Sequence, residues 1–263
     1  MQSSFNQKTL HRLATQGLAP AELKHQTHSD NLDLSLELWR AQGLTLVKKH
    51  GSYFFATKFI PIKEAVFCIV DIETNGSKIE KHQIIELSAI KVKNGKIIDR
   101  FDSLVECHEI NEHITQLTGI DVSMTYNAPP LKKVLYQFRT FLDDAVFVAH
   151  DIKFDYNFIS ASMQKVGLEP LLNRGVCSLA LAHRTIKSYK YGLSYLNEYF
   201  NLYPNATHHR AMSDVITTYE LFKLSLQNIE ASVNNVEDLI KFSKEGKKIK
   251  RPKIDPLAEE GEA

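Results

Sequence analysis

The sequence of 263 residues contains no C-x-x-C pair, and its three cysteines, Cys68, Cys107 and Cys177, lie far apart. That spacing disfavours a zinc or disulfide framework and suits reduced, buried thiols in a cytoplasmic protein. Long apolar runs are missing too. The longest, residues 65–70, is far too short to span a bilayer, and the first residues, 1–13, are polar, so no membrane partner is expected. Nor does either charge dominate. With 32 Lys+Arg against 31 Asp+Glu the formal net charge is +1, so any contact with a polyanion must come from a local cluster. No internal repeat is visible. What is present is the composition of a folded chain, 43% hydrophobic and 24% charged, in a length that exceeds one typical domain.

Residues 1–63 read as a small module. A helix is expected at about 6–15, stopping at Gly17, and Ala19-Pro20-Ala21-Glu22 reads as a second helix start. A third helix follows Ser29 and Asp30 and ends at Gly43, although Leu32, Leu34, Leu36 and Leu38 alternate as a strand would and only the cap signals favour helix. Segments 44–48 and 53–59 flank His50-Gly51-Ser52, which predicts a hairpin. Helices followed by a two-stranded wing resemble a winged-helix domain. Two readings of it stay open: nucleic-acid or partner binding, or a folded appendage that only packs against the main domain. Pro61 marks a short linker.

From Val66 the pattern becomes α/β and runs to about residue 228. An apolar strand at 66–72 is followed by a hairpin, 83–92 and 96–105, around Asn94-Gly95. Short strands at 145–149 and near Val176 alternate with helices at 154–166, 179–186, 193–200 and 211–226. The remainder, 229–263, holds a helix at 236–243 capped by Asn234 and Asn235, then a charged tail. Residues 244–253 carry six basic residues and one acidic one, while 254–263 carry four acidic residues and no basic ones. Such blocks are ordinarily solvated and disordered, though a basic stretch can touch nucleic acid.

Three constellations carry chemistry. Asp71 and Glu73 close the first buried strand, and residues two apart on a strand project to one face, so two like charges meet where a cation would relieve them. The alternative is an acidic pair at a solvated strand end. Second, Ala149-His150-Asp151-x-x-Phe154-Asp155 opens another short strand onto carboxylates. Here Asp155 reads either as a ligand or as a charge favoured at a helix N-terminus, and His150 as a satisfied core histidine. Third, His208-His209-Arg210-Ala211-Met212-Ser213-Asp214 precedes a helical periodicity. His209 and Asp214, five apart, converge more easily if His209 lies in the loop before the helix, where a histidine beside carboxylates suits a general base. A two-histidine transition-metal site lacks a third soft ligand at suitable spacing.

D-x-E-T, A-H-D-x-x-F-D and H-R-A-x-x-D, in that order, resemble the three motifs of the DnaQ-like exonuclease family in its DEDDh branch, marked by the histidine five residues before the last aspartate. Gln83 to Glu86, Leu117-Thr118-Gly119-Ile120 and Ala128-Pro129-Pro130 agree with it, and the resemblance covers residues 66–226. It implies a ribonuclease H-like α/β fold with a mixed sheet whose three leading strands are antiparallel. It implies that Asp71, Glu73, Asp155 and Asp214 hold two Mg2+ or Mn2+ ions while His209 deprotonates the attacking water. Thr74, Thr118 and Phe154 would contact the terminal nucleotide. The likeness to the epsilon proofreading subunit implies 3′→5′ hydrolysis of a single-stranded DNA 3′ end, with the DNA polymerase III catalytic subunit as a partner. An RNA-trimming exonuclease would use the same five residues, and a non-catalytic nucleic-acid-binding adaptor would need none of them. Asp151, Ile72 and Asn75 depart from the family, where asparagine, threonine and threonine are usual, and none of the three is a metal ligand.

Overall fold

In the computed structural model the described residues are 5–27, 31–207 and 209–258; Ser29, Asp30, His208 and residues 259–263 lie outside them. The N-terminal module runs α1 (Gln7–Thr15), α2 (Pro20–Lys24), α3 (Leu32–Ala41), β1 (Leu46–Lys49) and β2 (Ser52–Phe55). Local chemistry explains these starts. The Asn6 side chain accepts the Thr9 N–H at 2.9 Å, Pro20 opens α2, and Asn31 accepts the Leu34 N–H at 3.1 Å. His50 and Gly51 take φ values of 48° and 80°, the left-handed pair that a two-residue hairpin turn requires. Leu18 extends this hairpin by bridging to Tyr53.

The alternating leucines have a plain origin. Leu32, Leu36 and Trp39 face a core shared with Leu13, Leu23 and Phe55, whereas Leu34 and Leu38 are 50% and 52% exposed, so the helix is apolar on both sides. Two expectations need correction here. The second hairpin strand stops at Phe55, because Ala56–Phe59 is a 3₁₀ turn from which the Thr57 hydroxyl donates to Glu237 at 2.6 Å. Pro61 is no free linker either, since it bridges to Asn235, and Ile62 N–H donates to the Asn234 carbonyl at 3.3 Å.

The main sheet has the order β5-β4-β3-β6-β7, built from β3 (Val66–Thr74), β4 (Ile84–Lys93), β5 (Lys96–Leu104), β6 (Val146–Ala149) and β7 (Gly175–Cys177). β3, β4 and β5 are antiparallel and β3, β6 and β7 parallel, the mixed sheet expected of a ribonuclease H-like fold. Between β5 and β6 lie α4 (Glu112–Thr118), α5 (Val122–Thr125) and α6 (Leu131–Leu142), and α7 (Ile152–Lys165) follows β6. After β7 come α8 (Ser178–Thr185), α9 (Leu193–Phe200), α10 (Ala211–Gln227) and α11 (Val236–Glu245).

Both faces of β3 are covered, which is why its sequence reads as an unbroken apolar run. Cys68, Val70 and Ile72 enter one core with Phe138 of α6 and Phe158 of α7. Phe67 and Ile69 enter another with Val215 and Phe222 of α10 and Leu239 of α11. α11 is therefore part of the domain core. Arg174, just before β7, ties three parts together: it forks onto Glu237 of α11 at 2.8 and 2.6 Å and lies 4.1 Å from the ring centre of Phe55. Past α11 a solvated tail was expected, but residues to 258 are held on the domain: the Ile249 N–H donates to the His183 carbonyl at 2.8 Å, and Asp255 accepts the Tyr195 hydroxyl at 2.5 Å. Among the described residues no helix is long and apolar enough to cross a membrane.

Candidate active site

Asp71 and Glu73 continue the row of Phe67 and Ile69, so the face of β3 that is apolar near its start turns acidic at its end, toward the start of α10. Asp214 sits in the first turn of α10, and His209 precedes the helix in a turn with φ of 62°. That left-handed residue folds the loop back, and the His209 N–H donates to the Asp214 carboxylate at 3.1 Å. One ligand atom from each of Glu73, His209 and Asp214 lies within 4.8 Å of the others. His209 is exposed, and Asp214 is largely buried.

Asp155 reaches the cluster from the first turn of α7. Asp151 immediately before α7 is left-handed, φ 70°, which turns the chain sharply out of β6. Burial pushes the Asp155 carboxyl from 3.8 up to about 8, with Asp151 and Glu73 adding repulsion, while N–H groups of Asp155 itself and Ile72 oppose the rise. Burial likewise lifts Glu73 to about 8, reinforced by Asp214 and Glu86. Asp71 is raised well above the ordinary carboxylate range by burial, then by Asp155, Asp214, Glu73 and Glu86. The structure thus brings all four predicted carboxylates into one electrostatic unit, with His209 beside Glu73 and Asp214.

Hard oxygen donors crowded against their own repulsion fit divalent cations of the magnesium or manganese type. The neighbouring cation offsets them only in part: Arg210 pulls Glu73 down, but its main engagement is elsewhere. Its guanidinium meets Glu86 of β4 at 2.8 and 3.3 Å, and the Ala211 N–H donates to the same carboxylate at 2.9 Å. Glu86 is 3% exposed and stands opposite Glu73 in the sheet register. It caps the first N–H of α10 from outside the helix, because the N-cap residue, Arg210, has no accepting side chain of its own. Sequence reasoning placed Glu86 in the second strand without a role. The signal available was an arginine inside the third motif that needed an acidic partner.

The family model described as Exonuclease, of the RNase T type, matches residues 68–222. The chain belongs to this exonuclease family. Its relatives include the PolC-type DNA polymerase III of Staphylococcus haemolyticus, 37% identical over 68% of this chain and 12% of that protein. A second is the corresponding protein of Staphylococcus saprophyticus, 35% identical over 70% of this chain and 13% of that one. The chain thus spans about an eighth of the length of these curated relatives. Among solved structures, exonuclease X in complex with 5′ overhanging duplex DNA aligns with TM-score 0.52 at 22% identity, covering 67% of this chain and 99% of that one. Exonuclease I of E. coli in complex with a dT13 oligonucleotide aligns with TM-score 0.58 at 13% identity, covering 63% and 42%. These last two likenesses concern the fold.

Around the carboxylate cluster the other predicted residues divide. Phe154, beside Asp155, is 39% exposed. Thr74 is nearly buried, next to a register shift at Glu73/Thr74 that ends regular pairing with β4. Thr118 is turned inward, its hydroxyl donating to the Ile114 carbonyl and accepting the Ile120 N–H, so it stabilises the end of α4. His150 is indeed satisfied, lying between the Ser178 hydroxyl at 3.1 Å and the Tyr191 carbonyl at 2.9 Å, and burial lowers its pKa. Asn75 fixes the loop after β3 by accepting the Gln83 N–H and donating to the Glu109 carbonyl.

Proposed function

We propose that this chain is a 3′→5′ exonuclease that removes nucleotides from a single-stranded DNA 3′ end, in the service of replication proofreading. The observation that carries the reading is the convergence of Asp71, Glu73, Asp155 and Asp214, from three separate elements, beside an exposed His209. The four carboxylates would hold two Mg2+ or Mn2+ ions, which when bound offset charge on the attacking and departing oxygens of an in-line displacement at phosphorus. His209 is placed at the rim to take the proton from the attacking water as it forms the new P–O bond. The bond from phosphorus to the 3′ oxygen breaks, a proton completes the new 3′-hydroxyl, and a 5′-mononucleotide leaves. Phe154 offers an aromatic face to the terminal base.

DNA is favoured over RNA by the relatives, which are DNA polymerases, and by neighbours whose structures hold DNA. Those relatives also favour a replicative polymerase as partner and a cytoplasmic setting. The N-terminal module fits a protein contact better than a nucleic-acid one, since the exposed side of α3 presents Asp33, Glu37, Leu34 and Leu38. The test is digestion of matched single-stranded DNA and RNA oligonucleotides labelled at the 5′ end, with Mg2+ or Mn2+ and with chelator. A metal-dependent ladder shortening from the 3′ end on DNA is expected. Faster digestion of RNA would move the chain to RNA trimming, and no digestion of either would sink the enzymatic reading.

A further inference from the structure

The basic segment that follows α11 has no place in the chemistry above, yet it is fastened down. Arg184 of α8 donates through Nε to the Gly246 carbonyl at 2.8 Å and through Nη2 to the Lys244 carbonyl at 2.5 Å. The Ile249 N–H reaches the His183 carbonyl at 2.8 Å, and the Arg251 guanidinium lies 5.2 Å from the ring centre of Tyr191. Beyond it, Asp255 accepts from the Tyr195 hydroxyl and pairs with Lys190 at 3.0 Å. Backbone groups, the guanidiniums of Arg184 and Arg251 and the carboxylate of Asp255 therefore hold the strap, while Lys247, Lys248, Lys250 and Lys253 are exposed and, among the described residues, join no ion pair.

Its anchor leads straight to the active-site edge. Tyr191, under Arg251, gives its carbonyl to His150, and His150 lies between the end of β6 and Asp151, at the start of α7 that carries Asp155. Burial, and then Arg251, Lys248 and Arg184, disfavour protonation of His183, which places these cations close together. The contrast in charge matters, because a cluster of carboxylates repels a polyanion. A chain with a net charge of only +1 needs a local positive surface beside that cluster to hold a strand.

We propose that the strap of residues 244–253 is a strand guide, binding backbone phosphates of a single nucleic-acid strand upstream of the nucleotide being removed. The proposal rests on the exonuclease reading for its direction, and the site it assigns is separate from the catalytic one. Pinning gives the strap its advantage over a loose lysine tail. Ordering a free chain costs about 1–2 kcal/mol per residue, a cost already met here in folding.

The test uses the full chain with Lys247, Lys248, Lys250 and Lys253 replaced by glutamine, which leaves Arg184, Arg251 and Asp255 to hold the strap. Anisotropy of labelled DNA and RNA oligonucleotides of about 20 nucleotides, titrated with salt in chelator, reads binding. Each phosphate that a lysine no longer neutralises takes about 0.7 off the slope of log affinity against log salt, so a fall of roughly 2–3 in slope is expected. Weaker binding of both polymers, or of one alone, supports the guide and identifies the strand it takes. A paired variant, K93Q with K96Q at the β4–β5 turn on the opposite end of the sheet, should bind as the wild type does. Unchanged affinity and slope in the strap variant, or an equal weakening in the distal one, would overturn the proposal. So would intact nucleic-acid binding with abolished binding to anionic phospholipid vesicles. Hydrolysis of a nitrophenyl ester of thymidine monophosphate, too short to reach the strap, reads the chemistry separately. If the wild type fails there while strap-dependent binding remains, the enzymatic reading fails and the guide stands.

Discussion

Replacing Asp155 with asparagine keeps its shape and removes its charge, which separates a crowded metal ligand from a charge that merely suits a helix N-terminus. Without metal, burial and the neighbouring Asp151 and Glu73 hold its carboxyl at about 8, against 3.8 when unhindered. A folded-state pKa above the unfolded one means that the native state binds the proton more tightly. Its stabilising effect is full below the unfolded pKa and is lost as pH rises through about 8. At about 1.4 kcal/mol per tenfold change in proton affinity, the swing is on the order of 5 kcal/mol. About 2–4 °C of midpoint per kcal/mol then gives a fall of roughly 10 °C or more between about pH 5 and pH 9 in chelator. D155N should show a much shallower fall and, near pH 9, a midpoint above that of the wild type. Mg2+ should raise the wild-type midpoint more than the mutant's, because a ligand of the native state stabilises in proportion to its affinity. Thermal unfolding by circular dichroism in chelator and in excess Mg2+ reads all of this. If D155N is less stable than the wild type near pH 9 with an unchanged pH slope, Asp155 is a helix-terminal stabiliser and the cluster has been misread.

His209→Ala should slow hydrolysis by about 10²- to 10⁴-fold, the usual worth of a general base, while the midpoint shift on adding Mn2+ stays. The same change at His208 should leave the rate near that of the wild type, and equal losses at both would point to a two-histidine metal site. Glu86→Gln weakens the hold on Arg210 and the Ala211 N–H, so the midpoint should fall by about 1–3 kcal/mol of stability and kcat should drop with little change in KM; a wild-type kcat would remove Glu86 from any positioning role. Thr57→Val takes a donor from the buried Glu237 and should cost about 1–3 kcal/mol in unfolding experiments without slowing turnover of short oligonucleotides. A chain starting at Pro61, stripped of Phe55 and Thr57, should be less stable yet still hydrolyse short oligonucleotides, and an insoluble or inactive product would make the module integral to the domain.

Local chemistry made much of this protein legible before its tertiary structure. Asn94-Gly95, with φ values of 50° and 68°, sets a two-residue turn and with it the start of the β4–β5 register, because few residues tolerate that conformation. Caps at Asn6 and Asn235 start helices by satisfying N–H groups three residues on, and the apolar run of β3 foretold a strand covered on both faces. The ordered motifs that hold Asp71, Glu73, Asp155, His209 and Asp214, through their resemblance to the exonuclease family, named the candidate site. The tertiary structure alone decided what packing must bring together from afar. Glu86 reaches Arg210 across 124 residues and Thr57 reaches Glu237 across 180, and neither pairing follows from sequence spacing. Asp71, Glu73 and Asp155 acquire raised pKa values only when the fold buries them among like charges. The strap is the plainest case. By composition residues 244–253 are a solvated run of charge, and only the placement of Arg184, His183 and Tyr191 beneath them supplies the carbonyls, donors and aromatic face that hold it in place.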